Sequence, residues 1–250
     1  RTPLTLILAP IESALQSDSD TALNRDLLRT MERNAVRLLK LVNNLLDISK
    51  IEAGRVTMTV AEQDIVPFIQ TYIDSIHLPS ASRTISLRTE TPGPINIFFD
   101  AEKMDKVFMN LFSNSLKFTG PDGRIDIRVR DEGPACRIEF EDSGVGIPAE
   151  KIGIIFDRFS QANVGATRTH DGTGIGLSLV KEFVEMHGGS ITVQSRYIGD
   201  HPEGHGTLFT LTLPKGAGHL AGLSWVQFAG SDDGTQDQRR RHRTGEIRSM

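Results

Sequence analysis

The chain has 250 residues, of which 38% are hydrophobic and 24% are charged, and its formal net charge is -4. This length allows one large domain or two modest ones with buried cores. The mildly acidic balance disfavours nucleic-acid binding, which needs a basic face. The single cysteine, Cys136, excludes an internal disulfide framework and a cysteine-based zinc site. We expect it to be a small buried residue on a strand.

The first predicted helix covers residues 4–16, where apolar residues recur at helical spacing: Leu4, Ile7, Leu8, Ile11 and Leu15. Pro10 lies inside this pattern and should bend the helix axis. The opening run RTPLT contains Pro3. Because proline is tolerated only in the first turn of a helix, Pro3 marks either a helix start or a bend in a helix whose beginning is missing.

A second helix is predicted from residue 21 to about residue 52. Its seam positions alternate by steps of four and three, as in a heptad repeat: Leu27, Met31, Asn34, Leu38, Leu41, Leu45 and Ile48. Further apolar residues beside the seam make this face too wide for one short partner helix to cover. We therefore expect a homodimer through residues 1–52 that forms a four-helix bundle. Asn34 is expected to fix the register of the seam.

Beyond Gly54 the periodicity changes to that of a mixed domain. Predicted strands cover residues 56–62, 84–90, 95–99, 124–130, 136–142, 189–195 and 206–214. Predicted helices cover residues 65–77, 101–118, 148–158 and 174–187. Antiparallel strands interspersed with helices indicate an α+β sandwich, in which one sheet is covered by a layer of helices.

The composition shifts again after Pro214, to Gly, Ser, Asp, Gln and Arg. We expect residues 215–250 to be a flexible linker or tail with little packed structure. The predicted domains are therefore 1–53 and 56–214, followed by this tail. No stretch approaches the roughly 18 apolar residues of a membrane span, and no signal peptide precedes the first helix. These features predict a soluble piece of a longer protein.

Three separated stretches combine residue types that suit a nucleotide site. In NLFSNSLKFTG, Asn110 and Asn114 lie one turn apart on a predicted helix, and Lys117 follows. Asparagine oxygens can bind Mg²⁺ without adding negative charge beside phosphates, and a lysine can neutralise those phosphates. Taken alone, the stretch is equally consistent with an exposed polar helix face.

The second stretch, EDSGVGIP, places Asp142 at the end of a predicted strand, followed by Gly144 and Gly146. Paired glycines let the backbone approach a flat ligand closely, and the carboxylate can accept a hydrogen bond from an amino group. Taken alone, this stretch is also consistent with a simple turn.

The third stretch, HDGTGIGLSLVKEFVEMHGG, leads from three glycines into a helix, whose free N–H groups can face an anion: Gly172, Gly174 and Gly176. It is no dinucleotide-binding loop, because polar residues rather than a buried strand precede it, and the chain has no GK[ST] of a P-loop. Between the second and third stretches, IFDRFSQ places Arg158 between two phenylalanines. This arginine would suit the anchor of a mobile flap.

In this order, the stretches resemble the ATP-binding domain of sensor histidine kinases. NLFSNSLKFTG resembles the N box of that family, DSGVGI the first glycine box, IFDRF the F box and GTGIGLSLV the second glycine box. GHGTLFTLTLP resembles the closing strand, and LLDISKIEAG the exit of the dimerisation and phosphoacceptor hairpin. The resemblance covers about residues 1–214. It implies an α/β sandwich of the GHKL (Bergerat) type that binds ATP and Mg²⁺.

The resemblance also implies roles for the matching residues. Asn114 would bind Mg²⁺, with Asn110 beside it and Lys117 near the phosphates. Asp142 would accept a hydrogen bond from the adenine amino group. The other residues expected around the nucleotide are Phe118, Gly144, Gly146, Ile147, Gly172, Thr173, Gly174, Gly176, Leu177 and Thr207.

Two further assignments concern the far side of the nucleotide. Residues 160–173 would form a lid over the triphosphate, and Arg158 would reach the γ-phosphate. Thr207 would line the far wall of the pocket. For Arg158 and Thr207, a purely structural role is an equally open reading of the sequence.

The implied reaction is phosphoryl transfer from ATP to a histidine. In this family the acceptor lies on the first hairpin helix, in a run written His-Glu-x-Arg-Thr-Pro, and residues 1–76 of this chain contain no histidine. Since the chain starts at the Arg of that run, we expect ATP binding without self-phosphorylation. Thr2 matches the position four residues after the histidine, where the family uses it to dephosphorylate a response regulator.

Two other protein classes share part of these motifs. A module that only senses ATP would keep Asp142 but lose Asn114 or Lys117, and both are present. Hydrolytic relatives such as gyrase and heat-shock chaperones carry an acidic residue where Asn110 stands, and an amide cannot act as their base. The resemblance further implies a response-regulator receiver as partner, a cytoplasmic location, and an inner-membrane or hybrid parent protein whose other segments lie outside this chain.

Overall fold

The computed structural model describes residues 25–75, 84–90, 93–160 and 174–229, together with Leu4, Ile7, Leu8 and Ile11, which are helical. Several predicted features lie outside these residues: Thr2, Pro3, Pro10, Gly172, Thr173, nearly all of the lid and residues 230–250. Among the described helices, none is long and apolar enough to cross a membrane.

Helix α1 (Arg25–Glu52) is the predicted second helix, and the first four residues of that prediction lie outside the described residues. The other elements follow in chain order: β1 (Met58–Asp64), α2 (Ile65–Ser75), β2 (Thr84–Thr89), β3 (Asn96–Phe99), α3 (Ala101–Phe118), β4 (Arg124–Asp131), β5 (Ala135–Asp142), α4 (Ala149–Ile152), α5 (Gly176–Met186), β6 (Ser190–Arg196), β7 (Gly206–Pro214) and β8 (Val226–Phe228). The predicted α+β class is confirmed.

The larger sheet has five strands in the order β2-β4-β5-β7-β6. Along β4 and β5 the buried residues alternate, so one face is covered by α2, α3 and α5 and contributes to a single core. Cys136 lies in this core as expected, and burial raises the pKa of its thiol to about 12. On the other face, Arg128 forms ion pairs with Glu139 and Glu141 at 2.9 and 2.7 Å.

Strand β2 departs from the predicted antiparallel strands, because it pairs parallel with β4. Between these two strands the chain passes through β3 and α3, and such a long crossover allows parallel pairing. The remaining neighbours in this sheet are antiparallel.

A second, three-stranded sheet in the order β3-β1-β8 was not predicted. Strand β8 pairs parallel with β1, and a small apolar cluster under it buries Met58 and Val60 completely. Leu220 is also buried there, and Trp225 and Phe228 pack against the cluster. The prediction that residues after Pro214 are unpacked is therefore wrong for 215–229, because a few apolar residues in that glycine-rich stretch cover β1.

Helix α4 ends at Ile152, whereas the sequence predicted a helix to residue 158. Gly153 has a low helix propensity, and the following turns bury Ile155 in the core. Phe159 adopts φ +62, a conformation outside a right-handed helix. This segment therefore forms turns that lead into residues 161–173.

The second half of α1 packs on the domain. Ile48 is 5% exposed and belongs to the domain core, and Asp47 accepts a hydrogen bond from Lys106 on α3 at 2.7 Å. Elsewhere along α1, large apolar side chains are exposed: Leu28, Val36, Leu39, Val42, Leu45 and Leu46. Asn34, the predicted register residue, is 8% exposed and donates to the carbonyl of Thr30.

Candidate nucleotide-binding site

Asp142 ends β5 and is 6% exposed. Its Oδ1 accepts the N–H of Gly144 at 2.9 Å, and its Oδ2 accepts the hydroxyl of Ser115 at 3.3 Å. Burial raises the pKa of Asp142, and the hydrogen bonds from Gly144, Ser115 and the Thr207 backbone oppose this rise. The sequence thus places a buried carboxylate, suited to accept from a donor ligand, where the second motif predicted it.

Asp142 is the first of three polar side chains that lie side by side on neighbouring strands. Thr207 on β7 is its register partner, and Ser195 on β6 is the register partner of Thr207. Register partners lie on the same face of a sheet. Thr207 is 7% exposed, and its hydroxyl oxygen lies 3.0 Å from that of Ser195. The predicted residues Asp142 and Thr207 are therefore brought together, and Ser195 joins them.

The loop after Asp142 is held by hydrogen bonds from three parts of the chain. The N–H of Val145 donates to the carbonyl of Phe118 at 3.2 Å. The carbonyl of Gly144 accepts from Nδ1 of His205 at 2.6 Å, and the N–H of Ile147 donates to Oγ of Ser195 at 2.8 Å. The conformation of the loop is thus fixed by contacts within the protein.

The glycines of this loop leave no room for side chains. A Cβ on Gly144 would lie 2.7 Å from Oδ1 of Asp142. Gly146 has φ +72, and a Cβ there would lie 1.9 Å from the carbonyl oxygen of Arg196. Only glycine allows this backbone to pass so close to the Asp142 carboxylate and to the end of β6.

Helix α3 carries the predicted amides and lysine on the side of the loop. Asn110 donates to the carbonyl of Lys106 at 2.7 Å. Asn114 is half-buried, and its side chain makes no hydrogen bond with the part of the chain that the structure describes. Nζ of Lys117 lies 4.7 Å from the centre of the Phe118 ring. Ser115 on the same helix contacts Asp142, so α3 passes beside the carboxylate at that residue.

The start of α5 meets α3 at Asn110. A Cβ on Gly176 would lie 2.7 Å from Oδ1 of Asn110, so the glycine allows this close approach. Ile175 precedes the helix and caps it with no side-chain hydrogen bond. The carbonyl of Gly174 accepts the N–H of Phe159 at 2.9 Å, so the described residues on either side of 161–173 are joined here. Uncapped N–H groups at a helix start favour an anion.

The donor set fits a magnesium ion shared with phosphates. Within the described ranges, no three His, Cys, Asp or Glu side chains group as metal ligands. The amide oxygen of Asn114 is uncommitted in that part of the chain, and neutral oxygen ligands together with phosphates and water suit Mg²⁺.

Three further predicted residues have side chains that contact other parts of the protein. Ile147 and Leu177 are partly buried and pack against the domain core. The guanidinium of Arg158 forms ion pairs with Glu52 at the end of α1 and with Glu182 on α5, the latter at 3.4 Å. The structure therefore gives Arg158 two carboxylate partners, and its contact with a phosphate stays a prediction.

Ser115, Ser195 and His205 contribute to the site without having been singled out in the sequence. Each contacts a predicted residue through a hydrogen bond. Ser115 follows Asn114 directly in the sequence, so its place beside the predicted motif could have identified it as a site residue. Ser195 and His205 depend on the register of β6 and β7, which the sequence pattern does not specify.

Comparison with known proteins agrees with this geometry. Residues 1–54 match the His Kinase A (phospho-acceptor) domain, and residues 99–217 match the histidine kinase-, DNA gyrase B- and HSP90-like ATPases. The chain belongs to the sensor histidine kinases. The resemblance stated from the sequence and the GHKL-type fold are both confirmed.

Individual histidine kinases match most of the chain. It is 37% identical over 221 residues to hybrid signal transduction histidine kinase D of Dictyostelium discoideum, covering 86% of this chain and 14% of that protein. It is 36% identical to sensor histidine kinase TmoS of Ectopseudomonas mendocina, covering 87% and 22%. The solved structure of full-length ShkA in complex with AMPPNP shares 25% identity, with a TM-score of 0.63 over 86% of this chain and 43% of that one. The chain thus spans less than a quarter of the two curated relatives.

Proposed function

We propose that this chain is the catalytic core of a sensor histidine kinase, which binds Mg-ATP and transfers its γ-phosphoryl group to a histidine. The observation that carries the proposal is the buried Asp142 carboxylate beside a loop that only glycines can form. The adenine amino group would donate to this carboxylate. The match to ATPase domains and the likeness to the structure of ShkA in complex with AMPPNP support the same assignment.

The other end of the nucleotide would lie between α3 and the start of α5. Asn114, with Asn110 beside it, would hold Mg²⁺, and Lys117 would neutralise the phosphates together with the N–H groups at Gly176. The metal would supply charge neutralisation of the transferring phosphoryl group. Asn110 donates its amide to a carbonyl and has no basic group, which favours transfer over hydrolysis by an activated water.

The acceptor histidine would lie on the first helix of the hairpin, which precedes α1 in the sequence. Residues 1–76 contain no histidine. His187 and His205, further along the chain, both hold backbone groups through their ring nitrogens. The proposal therefore expects ATP binding by the 250-residue chain and labelling only when the three residues His-Glu-x are added before Arg1. Thr2 would then assist dephosphorylation of a response regulator.

The partners are proposed on the same basis. The exposed apolar face of α1 and the match to the phosphoacceptor domain support a homodimer through residues 1–52. A response-regulator receiver would take the phosphoryl group, either in a separate protein or in a hybrid parent. An inner-membrane parent stays a prediction from the resemblance.

Calorimetric titration with ADP and Mg²⁺ tests the adenine assignment. We expect binding at micromolar to millimolar affinity, and a loss of roughly tenfold or more in Asp142→Asn, because an amide N–H₂ would oppose the amino group of the base. Asp200→Asn, an exposed change of the same kind, should bind as wild type. No binding by the wild type, or equal binding by Asp142→Asn, would contradict the proposal.

Transfer is tested with γ-labelled ATP. The 250-residue chain should take up no label, and the version extended upstream by His-Glu-x should acquire acid-labile label. Label on the shorter chain would place the acceptor elsewhere. A lack of label on the longer chain, with nucleotide binding intact, would contradict the kinase assignment alone.

A further inference from the structure

Asp142, Thr207 and Ser195 form a polar row across β5, β7 and β6. The Ser195 hydroxyl, at the end of this row, has three neighbours. It receives the N–H of Ile147 at 2.8 Å. It lies 2.8 Å from the carbonyl oxygen of Gly206 and 3.0 Å from the hydroxyl oxygen of Thr207. A serine hydroxyl has one proton to donate and two lone pairs to accept with. These three contacts use its full capacity.

The directions of these hydrogen bonds follow from the chemistry of the neighbours. The Gly206 carbonyl can only accept, and the Ile147 N–H can only donate. The single Ser195 proton must therefore go to Gly206, since two oxygens 2.8 Å apart would otherwise repel. The proton between Ser195 and Thr207 must then come from Thr207. Ser195 thus fixes which way the Thr207 hydroxyl points.

We propose that Ser195 is a positioning residue for base recognition, because it holds the Thr207 hydroxyl as a donor to itself and leaves only acceptor lone pairs of Thr207 for a ligand. The inference rests on the proposed binding of adenine nucleotides and deepens it. Asp142 and Thr207 then present acceptors from adjacent strands and no side-chain donor. Such a wall favours a base with an exocyclic amino group over one with an oxo group at the same position.

The consequence is a rule for purine choice that Asp142 alone does not supply. Adenine and hypoxanthine have the same ring system but carry an amino and an oxo group, respectively, at position 6. In the wild type, the oxo group would meet only acceptors. Without Ser195, the Thr207 hydroxyl is released and can turn its proton toward the oxo group.

The test compares the affinities of ADP and inosine diphosphate, both with Mg²⁺ at pH 8, by calorimetry. We expect the wild type to prefer ADP by at least about tenfold, the value of one or two hydrogen bonds. Ser195→Ala should lower this preference by about threefold or more. Ser195→Thr, which keeps the hydroxyl and suits a strand, should keep the preference within about twofold of wild type. A merely structural role would weaken both nucleotides equally and leave the ratio unchanged.

Thr207→Val provides an independent measurement, because it removes the hydroxyl that Ser195 orients. It should lower the preference, and adding Ser195→Ala to it should change the ratio no further. If the wild type prefers ADP and Ser195→Ala keeps that preference, or if Thr207→Val keeps it, the inference is wrong while the proposed function stands. If the wild type binds neither nucleotide, the proposed function itself is wrong.

Discussion

The two ends of the candidate site are built in opposite ways. The base end comprises Asp142, loop 143–147, Ser195, His205 and Thr207, and every one of these parts is hydrogen-bonded to another within the protein. The phosphate end comprises Asn110, Asn114, Lys117, Gly174 and Gly176. There the Asn114 amide makes no hydrogen bond with the described residues, and the start of α5 has no side-chain cap.

This difference indicates how binding energy is divided. At the base end the conformational entropy of the loop is lost during folding, so binding need not order it again. At the phosphate end the Asn114 amide makes no hydrogen bond with the described residues, so a metal ion can use its oxygen. We therefore expect changes at the base end to affect folding and binding together, and changes at the phosphate end to affect binding alone.

The largest expected effect is that of Gly146→Ala. Its Cβ would lie 1.9 Å from the Arg196 carbonyl, in addition to the strain at φ +72, so we expect loss of nucleotide binding and destabilisation by about 3 kcal/mol or more. Gly133→Ala is a matched control, because Gly133 has φ +83 with nothing within 4 Å. Thermal unfolding of Gly133→Ala should show a loss of stability of about 1 kcal/mol, which comes from backbone strain alone. Equal losses in both variants would mean that the loop is not tightly held.

Asn114→Ala should affect only the phosphate end. Loss of the amide oxygen should weaken ADP binding in the presence of Mg²⁺ by about tenfold, and leave binding in EDTA within about twofold of wild type. Its melting temperature should stay unchanged, since no described residue is left without a partner. Ser113→Ala, an exposed change on the same helix, is the control. An equal loss with and without Mg²⁺ would remove Asn114 from the metal site.

The buried, ionised Asp142 carboxylate should lower the stability of the folded protein at neutral pH. Burial raises its pKa above the unfolded value of 3.8, so the folded state binds the proton more tightly than the unfolded state. The stabilising effect of this proton is complete below pH 3.8 and is lost as pH rises through the folded pKa. Asp142→Asn keeps an acceptor for Gly144, so at pH 7 it should be more stable by ~1 kcal/mol, with the difference disappearing in acid. Chemical denaturation at several pH values measures this difference, and a less stable variant at pH 7 would contradict it.

His205→Ala should produce the smallest effect of the four. It removes the donor to the Gly144 carbonyl, so ADP binding should weaken by about threefold, with or without Mg²⁺. His205→Asn can restore a donor at the same place and should recover most of the affinity. A loss confined to Mg²⁺-containing buffer would show that the two ends are coupled rather than separate.

Local patterns predicted the elements that carry the site better than they predicted contacts across it. Helix α3 was predicted at its observed bounds, because its apolar period is regular and Asp100 caps it through the N–H of Lys103. The polar row could not be predicted in full, because Ser195 meets Thr207 only through strand register, which depends on the whole sheet. Strand β8 has three residues and gains its stability from pairing, so it is too short for a periodic pattern to predict it.

The pairing of β8 with β1 also has a mechanical consequence. The two strands run parallel, and hydrogen bonds join Met58 to Trp225 and Ala229 to Val60, each at 2.8 Å. Since β1 follows closely on α1, a tension between α1 and the chain after residue 229 would pull these strands lengthwise in opposite directions. All their hydrogen bonds would then share the load at once instead of opening one by one. A load applied between α1 and the chain after residue 229 would therefore be resisted by β1 and β8 in shear.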